Sequence, residues 1–344
     1  MKPPLCGIRV VEFESLGPGP LVGRMLADMG ADVTLICRPQ GIAVAERLGG
    51  GADDSLRRGK AAVTLDLKEA TAAAAALDYV AAADGLIEGN RPGVMERLQL
   101  GPAQCAARNP QLVYGRMTGW GQSGPLAQRA AHDLNFVALS GLLSLSAHRG
   151  ERPIVPPTVL GDAAGALGLA FGMVCALLDA RRTGLGRVVD GAIIDVLGML
   201  GMSALWVRSN GKLDGPGPSV FHDSPFYDVY ACSDGRYITV AALETQFYTL
   251  LLNTLNLQDV DPTAQYDTSA WPALKARFTA LFISQPRAHW CALLEATDAC
   301  FAPVLSIAEA AVHPHNLARS LYRIEDDGAV RAHVAPRFLP AVTP

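Results

Sequence analysis

Three acid–base side chains stand out by type and position. His132 sits in Ala131-His132-Asp133, shortly after the Gly-rich stretch Thr118–Pro125 (TGWGQSGP). An imidazole takes up or releases a proton near neutrality and serves as acid or base at little cost. A structural or solvated histidine is the plainer alternative. Asp162 follows Gly161 and opens a predicted helix. Capping is its structural role, and a helix N-terminus also offers free N–H groups and the positive end of a dipole to any nearby anion. Glu244, in Leu243-Glu244-Thr245-Gln246-Phe247-Tyr248, reads by itself as an ordinary helix-start acid.

A second set of residues has the placement of a nucleotide site. Gly17, Gly19 and Gly23 lie between a predicted strand and a predicted helix, with GxGxxxG spacing where a dinucleotide fingerprint has GxGxxG. Pro18 and Pro20 remove two backbone donors that a pyrophosphate loop needs, so a tight strand–helix turn is favoured over a nicotinamide site. Arg38 stands where such a fold places a ribose-binding acid. A forked cation there suits an additional phosphate, such as the 2′-phosphate of NADP or the 3′-phosphate of coenzyme A.

The elements that must position these residues follow from the pattern. Gly7–Glu14 and Ala31–Arg38 are β-branched, alternating strands, with a helix-period stretch over Leu21–Met29 between them. Strand, helix and strand at this spacing make a βαβ unit and a parallel sheet. Glu69–Ala83 is a helix on alanine propensity. Gly85–Glu88 and Leu112–Met117 are further short apolar strands. Asp162–Arg182 and Ala192–Val207 read as long apolar helices, followed by a Gly/Pro-rich linker over Gly211–Ser219. Tyr227–Cys232 and Tyr237–Ala241 form a hairpin around SDGR, helices continue to about Ala310, and the proline-bearing end reads as an irregular arm.

Composition narrows the classes. Among 344 residues half are hydrophobic and 18% charged, which excludes a disordered chain or a coiled coil. The net charge of −4 gives no basic excess for nucleic acid or an anionic membrane. Seven cysteines without CxxC or Cys/His spacing suggest neither zinc nor a disulfide framework. No signal-peptide pattern opens the chain, and the apolar run from Ala163 to Leu178 is shorter than the ~20 residues of a membrane span. A cytoplasmic protein without metal or membrane is expected.

Several stretches together carry a resemblance: GIRVVEFESLGPGP, LADMGADVTLICRP, RRGKAAVTLDLK, IEGNRPGVMERLQLGP, NPQLVYGRMTGWGQSGPLAQRAAHDLNF, TGLGRVVDGAIID, ETQFY and DACFAPVL. They resemble the α-methylacyl-CoA racemases of the family III CoA-transferase (CaiB/BaiF-type) superfamily. The resemblance implies an α/β chain with a Rossmann-like large domain and a smaller α+β domain joined by long linkers, in an interlocked, ring-like homodimer. On that basis 1–185 is the large CoA-binding domain and 186–222 a linker helix and loop. Residues 223–310 are then the small domain, and 311–344 a return segment packing on the large domain.

The implied reaction inverts C2 of a 2-methylacyl-CoA thioester through an enolate, with no metal or redox cofactor; coenzyme A is part of the substrate. Such chemistry needs a base on one face, an acid on the other and a stabilised enolate oxygen. The resemblance gives His132 and Asp162 the two proton-transfer roles, the backbone N–H of Asp162 the thioester oxygen, and Glu244 of the partner subunit the task of orienting His132. It places Arg38 and Leu65-Asp66-Leu67-Lys68 on the CoA nucleotide, with Arg91 and, more weakly, Lys60 as further phosphate candidates. Ala131, Asp133, Leu134, Asn135 and Phe136 shape the substrate loop. Two departures stand out: Ala131 replaces the usual glycine before the histidine, and Val220–Pro225 replaces a glycine-rich loop near the acyl site. His222 and Asp223 in that loop are expected to be inert loop residues rather than new polar contacts. Two alternatives remain, a CoA-transferase using Asp162 as nucleophile and a non-catalytic acyl-CoA binder.

Overall fold

The computed structural model describes residues 2–43, 47, 55–148 and 150–339. They form two compact units. The first takes the chain up to Ser146, Pro153–Gly201 and the segment from Val334; the second takes Ala147–Arg152 and Met202–His333. The linker and return segment expected over 186–222 and 311–344 are thus shared between the units.

Six strands build the first unit: β1 (Arg9–Phe13), β2 (Asp32–Cys37), β3 (Lys60–Thr64), β4 (Gly85–Glu88), β5 (Val113–Thr118) and β6 (Val188–Ala192). All pairings are parallel, in the order β3-β2-β1-β4-β5-β6. Helices α1 (Pro18–Asp28), α2 (Ala70–Ala81), α3 (Val94–Arg97), α4 (Pro102–Arg108), α5 (Asp133–Leu139), α6 (Asp162–Thr183) and α7 (Ile193–Leu200) connect and cover the strands. Strand side chains alternate between two cores, as the pleat requires. Val10, Ile87 and Val113 pack with Val22 of α1 and Leu169 of α6; Val11, Leu86 and Tyr114 pack with Ala76 of α2 and Cys105 of α4. Burial on both faces suits the apolar residues of β1, β4 and β5, and the buried charges among them, Glu12, Glu88 and Arg116, are ion-paired. The chain reverses its winding between β1 and β4, and the crevice beyond their C-terminal ends is where such sheets receive ligands.

Helix α6 is 22 residues long, close to the expected Asp162–Arg182, and an 18-residue window within it has a mean hydropathy of 1.8, so by length and composition it could cross a membrane. Here it is a core helix, with Ala166, Leu169, Met173 and Leu177 buried against the sheet. Gly165, Gly168 and Gly172 let it approach Ile193, Val196 and Val189; an added Cβ would come within 2.7, 2.4 and 2.9 Å of their side chains.

Strands β3 and β6 are absent from the sequence reading. Both are sheet edges with half-exposed patterns, so neither shows the apolar run of a central strand. The single helix expected over Ala192–Val207 is two, α7 and α8 (Met202–Ser209), broken at Gly201.

The second unit has an antiparallel sheet, β7 (Tyr227–Ala231), β8 (Tyr237–Ala241) and, later in the chain, β9 (Phe301–Pro303). Helices α9 (Thr245–Thr254), α10 (Trp271–Phe282) and α11 (Arg287–Leu294) close over it. Its core is aromatic: Phe226, Tyr248, Trp271, Phe278, Phe282 and Trp290. The Trp271 and Trp290 indoles donate to the carbonyls of Gln265 and Phe282 at 2.8 and 2.9 Å. After α12 (Ile307–Val312), the expected irregular arm is irregular over 333–339 but regular as far as Ala332, with α13 (Pro314–Ala318) and a hairpin of β10 (Tyr322–Ile324) and β11 (Val330–Ala332). Its turn contains Asp327-Gly328, with Gly328 at φ 83°, a residue pair suited to hairpin turns.

Candidate active site

Asp133 organises the centre of the site. Buried at the start of α5, its Oδ1 accepts the backbone N–H groups of Gly161 at 2.8 Å and Asp162 at 2.7 Å. One carboxylate oxygen therefore ties the start of α5 to the start of α6, across 29 residues of chain. Gly161 is required by this approach, since a Cβ there would lie 2.5 Å from Asp133 Oδ1. Phe136 anchors α5 from below, edge-on to Trp120 with ring centroids 4.7 Å apart. Ala131 packs partly buried on the same core. The His132 backbone N–H donates to Asn135 Oδ1 at 3.1 Å, which fixes the turn before the helix. His132, Leu134 and Asn135 are left exposed on the open side.

The electrostatics follow from this arrangement. Burial, reinforced by the like charge of Asp133, raises the Asp162 carboxyl from 3.8 to about 6, and the nearby His132 opposes that rise. Asp162 thus changes protonation close to neutrality, as an acid–base catalyst needs. Its side chain also borders the glycine turn after β1: a Cβ on Gly17 would lie 3.5 Å from Asp162 Oδ2. One expectation is corrected. The Asp162 backbone N–H is not open to a thioester oxygen, because Asp133 already accepts it; the helix dipole remains as the local stabiliser of negative charge. Nor is Asp162 the cap residue: Gly161 occupies that position and Asp162 is the first helical residue.

A cleft of about 540 Å³ opens at the C-terminal ends of β1 and β2, beside the sheet's switch point. Arg38, Leu65, Asp66, Leu67 and Lys68 all line it, as expected for a nucleotide subsite, together with Glu14 and Asn90. Arg38 Nη2 lies 3.4 Å from both the Glu14 carbonyl and Asn90 Oδ1, and Arg38 forms no ion pair among the described residues. Asn90 is itself held by buried Glu88, which accepts its N–H at 2.6 Å and is fixed in turn by Arg116 at 2.9 Å. Arg91 is exposed on the turn after β4 and is not part of the cleft lining. Lys60 is corrected as a phosphate candidate: it is buried and paired with buried Glu12 at 2.6 Å.

In the second unit, Glu244 is the cap residue of α9, exposed, and makes no side-chain capping bond. The altered loop is tightly knit by its own contacts. Asp223 Oδ2 accepts the Ser219 N–H at 2.6 Å, Ser224 donates to the Val220 carbonyl, and Phe221 stacks edge-on against Tyr227. The His222 carbonyl accepts from Lys275 at 3.2 Å. The Asp223 carboxylate is thus engaged within its own loop. The sequence reading passed over Glu14 and Arg57. An acid at a strand end is an unusual lining for a phosphate cleft, and that was the available signal.

A parallel sheet in this order with a cleft at its switch point defines a doubly wound α/β protein. The chain belongs to CoA-transferase family III, whose family model matches residues 5–343. It is similar to the human alpha-methylacyl-CoA racemase, 38% identical across 98% of this chain and 88% of the relative. It is also similar to acetyl-CoA:oxalate CoA-transferase of Acetobacter aceti, 31% identical across 93% and 85%. The crystal structure of a CaiB/BaiF family protein from Brucella suis superposes with a TM-score of 0.83 at 25% identity, covering 98% of this chain and 93% of that one.

Proposed function

We propose that the protein is an isomerase that inverts C2 of 2-methylacyl-CoA thioesters by two-base proton transfer. The observation that carries the reading is the Asp133 bridge, which fixes Asp162 near His132 at a site where burial, reinforced by the Asp133 charge, raises its carboxyl to about 6. The similarity to the human racemase supports it. One group removes the C2 proton, the thioester carbonyl takes the charge as an enolate at the positive end of α6, and the other group returns a proton to the opposite face. Arg38 and the 65–68 segment hold the CoA nucleotide in the cleft, so the acyl end alone varies between substrates. Glu244 belongs to this proposal in the role the resemblance implies, orienting the imidazole from a partner subunit. A homodimer would also cover Leu167, Phe171 and Leu178, large apolar side chains of α6 that are each more than half exposed.

The transferase relatives favour one second reading, in which Asp162 attacks the thioester and forms a mixed anhydride. Two assays separate the readings. Deuterium wash-in at C2 of a 2-methylacyl-CoA in D2O is expected from the isomerase, and its absence would leave only a binder or a transferase. Irreversible inactivation by hydroxylamine in the presence of acyl-CoA would assign Asp162 as a nucleophile instead.

A further inference from the structure

Glu14 sits at the end of β1 and lines the cleft that the preceding reading gives to the CoA nucleotide. A carboxylate is a poor neighbour for phosphate, and this one is 5% exposed, so burying it uncompensated would be costly. It is compensated on both oxygens. Oε2 accepts the Arg38 backbone N–H at 2.9 Å, and Oε1 is ion-paired with the Arg57 guanidinium. The Glu14 carbonyl also receives Arg38 Nη2 at 3.4 Å. Residue 14 therefore holds Arg38 by its main chain and its guanidinium, and holds Arg57 by its tip. Burial pushes up the thiol of Cys37, another residue of the cleft wall, and the Arg57 charge opposes that rise. The Arg57 side chain is 40% exposed, so the pair with Glu14 does not bury it.

We propose that Glu14 is a positioning residue that holds Arg57 beside Arg38, making a two-cation receptor for the 3′-phosphate of the CoA nucleotide. The inference rests on the CoA reading of the cleft. Arginine offers five donors in a fixed fork, so a guanidinium anchored through one edge keeps the other for a phosphate. Without Glu14, the long Arg57 side chain has no ion-pair partner among the described residues.

Calorimetric titration of the full-length protein with CoA and with dephospho-CoA tests this, using Glu14→Gln, Arg57→Gln and the unaltered chain. Charge alone predicts that Glu14→Gln binds CoA more tightly, since a negative group leaves the cleft. Positioning predicts the reverse: roughly tenfold weaker CoA binding, as expected on losing one charge-assisted hydrogen bond, with dephospho-CoA affinity nearly unchanged. Arg57→Gln, altered at a half-exposed site, should lose the same preference and serves if Glu14→Gln does not fold. In turnover both should raise KM and leave kcat at saturation close to its original value. CoA binding by Glu14→Gln as tight as or tighter than the original would overturn the positioning role, as would Arg57→Gln keeping the full preference for CoA. An unaltered protein that does not distinguish CoA from dephospho-CoA would instead overturn the reading of the cleft itself.

Discussion

Asp133 Oδ1 accepts the backbone N–H of Asp162 at 2.7 Å, so one carboxylate both fixes the position of a second and raises its proton affinity. The hydrogen bond sets geometry, and the charge adds to a rise that burial causes first; the two effects of Asp133 can be separated by substitution.

Asp133→Asn keeps an oxygen that can accept both N–H groups and removes the charge. The Asp162 carboxyl then falls below about 6 but stays above its ordinary value, because burial, the larger cause of the rise, is unchanged. In the pH profile of kcat/KM, the ionisation due to Asp162 should move to lower pH. A profile that does not move would show that Asp133 acts by geometry alone.

Asp162 should be a liability to the fold. Its folded-state pKa lies above the unfolded value, so the folded state binds the extra proton and stability falls as pH rises from about 4 to 6. The full shift corresponds to about 3 kcal/mol, and partial exposure reduces this to about 1–2 kcal/mol. Asp162→Asn is therefore expected to stabilise the protein by that amount at pH 7.5 and by nothing near pH 3.5. Denaturant unfolding at the two pH values measures the difference, and equal gains at both would contradict the linkage.

How much of this was legible in the sequence depended on distance along the chain. The first βα units could be read because β1, β2 and β4 are short apolar runs bounded by turn residues. The edge strands β3 and β6 carry mixed patterns, and only pairing with β2 and β5 defines them. Motif resemblance singled out His132 and Asp162. The Asp133 bridge could not be read, because nothing in the pattern around residue 133 says that its carboxylate faces residues 161 and 162. Lys60 misled for a similar reason: an isolated lysine beside an arginine pair looks solvated, yet the fold buries it against Glu12.

Gly161→Ala places a Cβ 2.5 Å from Asp133 Oδ1 and 3.0 Å from its Cγ. The neighbour cannot yield without releasing one or both backbone N–H groups. A stability loss of about 1–3 kcal/mol is expected from overpacking, with kcat reduced by a larger factor than CoA affinity. Thermal unfolding alongside steady-state kinetics checks it; a loss confined to KM would move Gly161 out of the catalytic centre.

Arg38→Ala removes a cleft cation that has no ion-pair partner among the described residues. KM for a CoA thioester is expected to rise by about 1–3 kcal/mol equivalent while kcat stays nearly constant. The effect should shrink for the dephospho-CoA thioester. Equal losses for both substrates would separate Arg38 from the phosphate.

The central claim is that His132 and Asp162 serve opposite faces of C2, and enantiomer-resolved deuterium exchange tests it most directly. Each enantiomer of a 2-methylacyl-CoA is incubated in D2O with His132→Ala, with Asp162→Asn and with the unaltered protein. Each variant is expected to lose racemisation by about 10²–10⁴-fold, the scale of a positioned acid–base group. Each should nevertheless retain C2 exchange with one enantiomer, and the two variants should retain opposite ones. If both variants exchanged the two enantiomers equally, the two-base assignment would be wrong.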